Sequence, residues 1–128
     1  MGSLIAQAQA DKVRGMVDRA RGAGGVEIVT GGVRPDRPGA FYEPTVISGP
    51  DQRSEIVQDE VFGPVVTVQR FSDEEQAIKW ANDVRFGLAA SVWTSAAGRG
   101  VRVTQAIHVG AGWFNGHVIP LTGNPHAG

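Results

Sequence analysis

The sequence contains no cysteine in its 128 residues. This absence excludes disulfide bonds, cysteine-based zinc sites and any reaction in which the chain itself supplies a thiolate nucleophile. Long apolar runs are also absent, since nothing approaches the roughly 18 to 20 continuous apolar residues that a membrane span requires. The first residues lack the charged and apolar stretches of a secretory signal, so we expect a cytoplasmic protein that does not insert into membranes.

An excess of charge of one sign is missing as well. The formal net charge is −1, and Lys and Arg form no cluster, so neither nucleic acid nor an anionic membrane is a predicted partner. The glycine-rich phosphate loops of Rossmann and Walker type are absent, as is the Gly-x-Ser-x-Gly motif of serine hydrolases. His108, His117 and His126 stand nine residues apart without metal-ligand spacing, so we predict no metal site.

What is present is the composition and pattern of a folded α/β domain. Hydrophobic residues make up 41% of the chain, which is enough for a core, and the length fits one domain. Apolar residues spaced three and four apart predict helices, and short β-branched or apolar runs predict strands. The predicted helices cover 6–21, 72–84 and 97–107; the predicted strands cover 26–30, 45–48, 65–69, 88–93 and 111–115; and 49–59 is predicted to be irregular or briefly helical.

The order of these elements predicts the topology. From residue 65 onward, strands and helices alternate as two consecutive βαβ units, which favours a parallel sheet with right-handed crossovers. The nearly continuous apolar run Leu88–Trp93 is typical of a strand that is covered on both faces. Ser72 and Glu75 fit a capping box at the start of the helix at 72–84, and Thr94 or Ser95 can cap the next helix.

The pentapeptide Glu60-Val61-Phe62-Gly63-Pro64 directly precedes the strand predicted at 65–69. A carboxylate at such a junction can accept hydrogen bonds from two neighbouring hydroxyl groups, as on a ribose. An aromatic ring two residues later can pack against a flat heterocycle. The alternative is structural, with Glu60 as a solvated loop acid and Phe62 as an anchor in the core. Taken alone, so short a motif favours the structural alternative.

Further motifs along the chain change that balance. In order they are Gly31-Gly32, Phe41-Tyr42-Glu43-Pro44-Thr45-Val46, Glu55-Ile56, Asn82, Phe86-Gly87-Leu88-Ala89-Ala90, Gly112-Trp113-Phe114-Asn115 and Pro125. Together with the pentapeptide they resemble the NAD(P)-dependent aldehyde dehydrogenase superfamily, in order and spacing, over essentially the whole chain. The segment is similar to the later part of the family's catalytic domain, downstream of the nucleophilic cysteine. The resemblance implies an α/β fold built from part of that domain.

The resemblance implies a role in binding NAD or NADP. Glu60 matches the glutamate that binds the ribose on the nicotinamide side, and Phe62 matches the aromatic beside the nicotinamide ring. Gln9 and Lys12 stand on the first helix, where some family members touch the cofactor. For these two residues a solvated helix face is the alternative.

The resemblance also implies part of an aldehyde pocket. His117 and His126 match positions in or near that pocket, and exposed loop histidines are the alternative for both. The run 113–120 and the pair Pro125-His126 are similar to the branch that acts on aminobutyraldehyde, betaine aldehyde and related amino-aldehydes. Gly123-Asn124 departs from the family, since related proteins often have an acid and a methionine before the proline.

Several parts of the family's machinery are absent. Its reaction begins with attack of a cysteine thiolate on the aldehyde and ends with hydrolysis of a thioester. By resemblance, the nucleophile and the Rossmann domain lie upstream of a segment like this one, and the oligomerisation strand lies downstream. Residues 1–128 are therefore expected to form a partial catalytic domain without a catalytic residue, inactive alone. Two alternatives stay open: a non-catalytic module that self-associates or docks on a full-length aldehyde dehydrogenase, and a functionless truncation product.

Overall fold

The computed structural model describes residues 1–117, which contain four helices and five strands. The helices are α1 (Gln7–Ala23), α2 (Glu55–Gln58), α3 (Glu74–Asn82) and α4 (Ala97–Ala106), and the strands are β1 (Glu27–Thr30), β2 (Thr45–Ser48), β3 (Val65–Val68), β4 (Ala89–Val92) and β5 (Ala111–Phe114). None of these helices is long and apolar enough to cross a bilayer. The chain forms two compact units, residues 1–70 and 71–128, where the pattern predicts one sheet.

Helix α1 supplies much of the core of the first unit. Its buried residues recur at spacings of three and four, as an amphipathic helix requires, and are Ala10, Val13, Met16, Val17 and Ala20. The predicted helix is confirmed apart from its ends. Ala6 is the extended residue before the helix, not part of its buried face. The helix continues to Ala23 and ends where Gly24 adopts a φ of 79°, a left-handed conformation that glycine permits.

The sheet of the first unit has the strand order β1-β2-β3. β1 pairs with β2 antiparallel, and β2 pairs with β3 in parallel with Thr45 opposite Val65. Ile47 on β2 joins Val13 and Val17 of α1 as the largest fully buried side chains. The amide of Thr45 donates to the carbonyl of Pro64 at 2.8 Å, which fixes the point where the pentapeptide enters β3.

A bidentate ion pair links α2 to α1. Nε and Nη2 of Arg19 each donate to one carboxylate oxygen of Glu55, and both distances are 2.8 Å. These hydrogen bonds lower the pKa of Glu55 from its ordinary value. The short helix occurs inside 49–59, as predicted, and it positions the start of the loop that follows.

In the second unit, β4, α4 and β5 form a βαβ unit. β4 and β5 pair in parallel with Ala89 opposite Ala111, which confirms the second predicted βαβ unit and the α/β class. The first does not form as predicted, since β3 pairs with β2 and β4 pairs with β5 among the described strands. A helical connection permits two consecutive strands to be neighbours, but consecutive strands are not always adjacent in a sheet.

The predicted helix caps of this unit are shifted. Asp73 is the N-cap of α3 and accepts from the backbone N–H of Gln76 at 2.8 Å, while the Gln76 side chain accepts from the Ser72 N–H at 2.7 Å. The N-cap therefore lies one residue beyond the prediction, because the charged carboxylate is a stronger acceptor than the serine hydroxyl, and the returning bond reaches the residue before the N-cap. Ala96, which has no capping side chain, precedes α4, and Thr94 Oγ1 accepts from its N–H at 3.2 Å.

The prediction that the run Leu88–Trp93 is covered on both faces is wrong for the described structure. Leu88 is 52% exposed and Trp93 is 67% exposed, and none of the residues of β4 between them is buried. Within the unit, α4 packs against β4 and β5, and α3 packs against α4. α4 thus covers one face of the strand pair, as the crossover helix of a βαβ unit does.

Candidate cofactor-binding cleft

A cleft of about 310 Å³ lies where the chain passes from α2 into β3. Glu60 and Phe62 both line it, so the structure brings together the two residues on which the sequence prediction depends. The other lining residues are Ile56, Asp59, Val61, Gly63, Val65 and Thr67. One continuous segment, 56–67, therefore forms the wall of the cleft.

Glu60 and Phe62 are presented to solvent. Glu60 is exposed, and Phe62 is 69% exposed, so Phe62 is not the core anchor of the structural alternative. Its backbone φ is 51°, a left-handed conformation that is uncommon for residues other than glycine. Backbone outliers of this kind concentrate at binding sites. An exposed ring on such a loop, next to a carboxylate, fits a ligand site.

Gln9 lies against the loop and is not among the residues that line the cleft. Its Nε2 donates to the carbonyl oxygens of Val61 at 3.1 Å and of Phe62 at 2.9 Å. The loop also approaches α1 at Gly63, where a Cβ atom would lie 2.6 Å from Cγ2 of Val13. α1 is thus the platform on which the loop rests.

Lys12 is exposed on α1, one turn after Gln9, and also lies outside the residues that line the cleft. Its charge contributes to lowering the pKa of Glu55, after the larger effect of the hydrogen bonds from Arg19. Lys12 thus lies on a solvated face of α1 in this structure, and its contact with the coenzyme stays a prediction.

His117 follows β5 in the second unit and contacts β4. Its Nδ1 lies 2.6 Å from Oγ of Ser91, and its ring meets Trp113 edge-on with a centroid distance of 5.8 Å. These contacts orient the ring, which stays exposed. His126 lies outside the described residues. The assignment of both histidines to an aldehyde pocket stays a prediction.

Sequence reasoning missed two polar residues of the first cleft, Asp59 and Thr67. Thr67 stands two residues after Val65 on β3, so strand alternation places both side chains on one face. This alternation could have identified Thr67 from the sequence. Asp59 is the residue before Glu60, and this adjacency could have identified it as a second carboxylate of the cleft.

A second cleft, of about 470 Å³, lies in the second unit and was not predicted. Its lining includes Asn82, Phe86, Gly87 and His108. The Asn82 amide donates to the carbonyl of Ala106 at 2.9 Å and accepts from the His108 N–H at 2.7 Å. The nitrogen and the oxygen of this amide both bond to the backbone at and just after the end of α4, so Asn82 connects α3 to α4 and has a structural role.

The groups at the first cleft define what it can do. Carboxylate oxygens can accept hydrogen bonds from hydroxyl groups, and an exposed ring can pack on a planar heterocycle. Residues 1–117 contain no group of three His, Asp or Glu side chains placed to hold a metal ion. The cleft is suited to binding and orienting a ligand such as a nucleotide coenzyme.

The aldehyde dehydrogenase family model matches the chain over residues 1–128. The chain belongs to the aldehyde dehydrogenase family. The betaine aldehyde dehydrogenase of Cereibacter sphaeroides is 38% identical to it over 128 residues, which are 100% of this chain and 26% of that protein. A 2-aminomuconic 6-semialdehyde dehydrogenase of Pseudomonas is 40% identical over 120 residues, 90% of this chain and 24% of that protein.

Solved structures agree with this family assignment. The betaine aldehyde dehydrogenase of Staphylococcus aureus in complex with NAD⁺ matches with a TM-score of 0.84 and 43% identity, over 90% of this chain and 24% of that chain. A variant of the Bacillus cereus aldehyde dehydrogenase matches with a TM-score of 0.93 and 32% identity, over 98% and 26%. The predicted family, fold and likeness to betaine aldehyde dehydrogenases are confirmed. The chain spans about a quarter of the length of the curated relatives it matches.

Proposed function

We propose that this chain forms the nicotinamide-side wall of the coenzyme site in a NAD- or NADP-dependent aldehyde dehydrogenase that oxidises an aldehyde to a carboxylic acid. The observation that carries the proposal is that Glu60 and Phe62 line one cleft from one loop. The Glu60 carboxylate accepts hydrogen bonds from the ribose hydroxyls, and the Phe62 ring packs beside the nicotinamide. The NAD⁺ complex of the Staphylococcus aureus relative supports this choice of ligand.

The contribution of this chain is to bind and orient. The coenzyme, when bound, accepts a hydride from the substrate. Glu60 holds the ribose, and Phe62 limits the tilt of the nicotinamide ring. The chain contains no cysteine and hence no thiol for attack on the aldehyde. We therefore expect no aldehyde oxidation by this chain alone.

The proposed substrates are aldehydes that carry an amino or quaternary ammonium group. The names of the two curated relatives support this class, since both denote aldehydes with a nitrogen substituent. Under this proposal His117 and His126 contribute to the aldehyde pocket. The contact with Ser91 holds the His117 ring in place.

A chimeric enzyme tests the proposed coenzyme role. The matching segment of the Staphylococcus aureus betaine aldehyde dehydrogenase is replaced with this chain, and NADH formation from betaine aldehyde is followed. We expect Glu60→Gln to raise the KM for NAD⁺ about tenfold, because hydrogen bonds to a charged acceptor are stronger than those to a neutral one, and to leave the KM for aldehyde unchanged. Glu27→Gln, on an exposed glutamate of β1, is the matched control.

Two results would count against the proposal. The first is an active chimera in which Glu60→Gln and Glu27→Gln have the same KM for NAD⁺ as the parent. The second, which concerns the chain by itself, is NADH formation from any aldehyde above a buffer control. A substrate series of betaine aldehyde, aminobutyraldehyde and a plain alkyl aldehyde of equal length tests the proposed substrate class.

A second candidate function is association with a full-length aldehyde dehydrogenase. The observation that favours it is the exposure of Leu88 and Trp93 beside β4 and of Phe71 before α3, since exposed large apolar side chains promote association. A full-length relative is the proposed partner because this chain matches only 26% of such a protein, and the rest of the relative can supply the surface that packs on these side chains.

Sedimentation velocity of the chain mixed with the Staphylococcus aureus enzyme tests this association. We expect a complex that Trp93→Ser weakens and that Val29→Ser, on an exposed residue of β1, does not. A monomer without affinity for the enzyme would argue against it, and so would self-association of the chain in the absence of the enzyme. A cooperative melting transition would in turn argue against a poorly folded truncation product.

A further inference from the structure

The side chain of Gln9 ties α1 to the loop that carries Glu60 and Phe62. Its Nε2 donates to the carbonyl oxygens of Val61 at 3.1 Å and of Phe62 at 2.9 Å. Only the NH₂ end of a glutamine amide can serve two carbonyl acceptors, so chemistry fixes the orientation of the amide. The donor end of this amide therefore faces the backbone of the loop.

The loop needs such a tie between its two ends. At the start of the loop, the amide of Asp59 donates to the carbonyl of Glu55 at 2.9 Å. At its end, the carbonyl of Pro64 accepts from the amide of Thr45 at 2.8 Å. Between them Phe62 holds a left-handed φ of 51°, which is unfavourable for a residue with a Cβ atom. Its ring is exposed, so packing of the ring does not maintain this conformation. The bonds from Gln9 meet the backbone where this strain lies.

We propose that Gln9 is a positioning residue for the coenzyme site. Its two hydrogen bonds hold the backbone at Val61 and Phe62, and so set the directions in which the Glu60 carboxylate and the Phe62 ring enter the cleft. The inference rests on the proposed function, which names the ligand that these groups meet. It differs from the direct coenzyme contact that the family resemblance implies for Gln9.

Three variants of the full chain test this role by NMR. Gln9→Met keeps the length of the side chain and removes the donors, whereas Gln9→Lys returns N–H donors at a similar reach. Gln105→Met makes the same chemical change on an exposed glutamine of α4 and serves as the control. The readouts are the backbone chemical shifts of 60–63, the φ of Phe62 from coupling constants, and hydrogen exchange of the Val65 amide, which donates to the carbonyl of Gly63.

In Gln9→Met we expect shifted resonances at 60–63, a Phe62 φ that leaves the left-handed region, and exchange of the Val65 amide about tenfold faster, as the loss of a hydrogen bond implies. Gln9→Lys should recover the parent values in part, and Gln105→Met should match the parent. A purely structural role would instead shift resonances across the whole first unit together with the melting temperature.

Unchanged shifts and an unchanged φ in Gln9→Met would overturn the proposal. Shifts spread over residues 1–70 would also overturn it, as would failure of Gln9→Lys to recover the loop in a protein that melts like the parent. Titration with NAD⁺ separates this inference from the proposed function. A parent chain whose 59–67 resonances do not respond to NAD⁺ counts against coenzyme binding by the chain, while the loop measurements still decide the role of Gln9.

Discussion

Gly63 is the point where the loop of the cleft approaches α1 most closely. A Cβ atom at this position would lie 2.6 Å from Cγ2 of Val13 and 3.3 Å from Cγ1, well inside the optimal carbon separation of roughly 3.5–4.0 Å. Val13 is fully buried, and its branched side chain has one strongly preferred rotamer in a helix, so it cannot move aside. We therefore expect Gly63→Ala to push the loop away from α1.

The magnitude follows from opposing effects. Overpacking of this kind costs about 1–3 kcal/mol, and the lower flexibility of alanine in the unfolded chain offsets about 0.4–1 kcal/mol, so Gly63→Ala should destabilise by about 1.5 kcal/mol. Val13→Ala removes two buried methyl groups and should cost about 2 kcal/mol with its cavity. In the double variant the new Cβ meets Cβ of residue 13 at 3.5 Å, an ordinary contact.

The double variant should therefore cost only about 1.5 kcal/mol, which is about 2 kcal/mol less than the sum of the single changes and within the range measured for residues in contact. Urea denaturation followed by circular dichroism gives the four free energies of unfolding if the transition is two-state. Additive effects, within about 0.5 kcal/mol, would refute the contact between Gly63 and Val13 and with it the packing of the loop on α1.

Other positions give simpler expectations. The Cβ atom that Gly22→Ala adds to α1 has no neighbour within 4 Å, so this change should raise the free energy of unfolding, measured in urea, by about 0.5–1 kcal/mol. Gly24→Ala should lower the free energy of unfolding, because Gly24 has a φ of 79°. Ile47→Ala should cost about 2–5 kcal/mol and Ile47→Val about 1 kcal/mol, and equal effects would contradict its full burial. A hydrogen bond from the Gln76 backbone holds the pKa of Asp73 below its ordinary value of 3.8, so this cap stabilises the fold above that pH and is lost as the pH falls through the lower folded value. Asp73→Ala should lower the melting temperature at neutral pH, whereas Asp73→Asn should remove the acid-dependent loss and keep the cap.

The local elements are predictable from the sequence because each depends on neighbours along the chain. Spacings of three and four residues identify the buried face of α1, and the short run 45–48, with three β-branched residues, gives the bounds of β2. The pairing of strands is less predictable, since β2 and β3 lie side by side in parallel without a long helix between them. No local pattern specifies which strand is the neighbour of β3.

The same division applies to the site. Glu60 and Phe62 are two residues apart, so one loop brings them together, and the surrounding motifs indicate what they bind. The bonds from Gln9 to the loop join residues 52 and 53 positions apart, which only the tertiary structure reveals. The left-handed backbone at Phe62 is equally hidden, because phenylalanine is not a residue type that signals a positive φ.

The apolar run Leu88–Trp93 indicates more burial than the described structure gives it. A strand that is apolar on both faces is typical of a sheet with layers on both sides, yet β4 has β5 as its neighbour and both ends of the run are exposed. The relatives are about four times as long as the matched segment, and so contain chain that can supply the second layer. The run therefore supports the proposed association with a longer aldehyde dehydrogenase, and Trp93 is where that association should be most sensitive to a polar substitution.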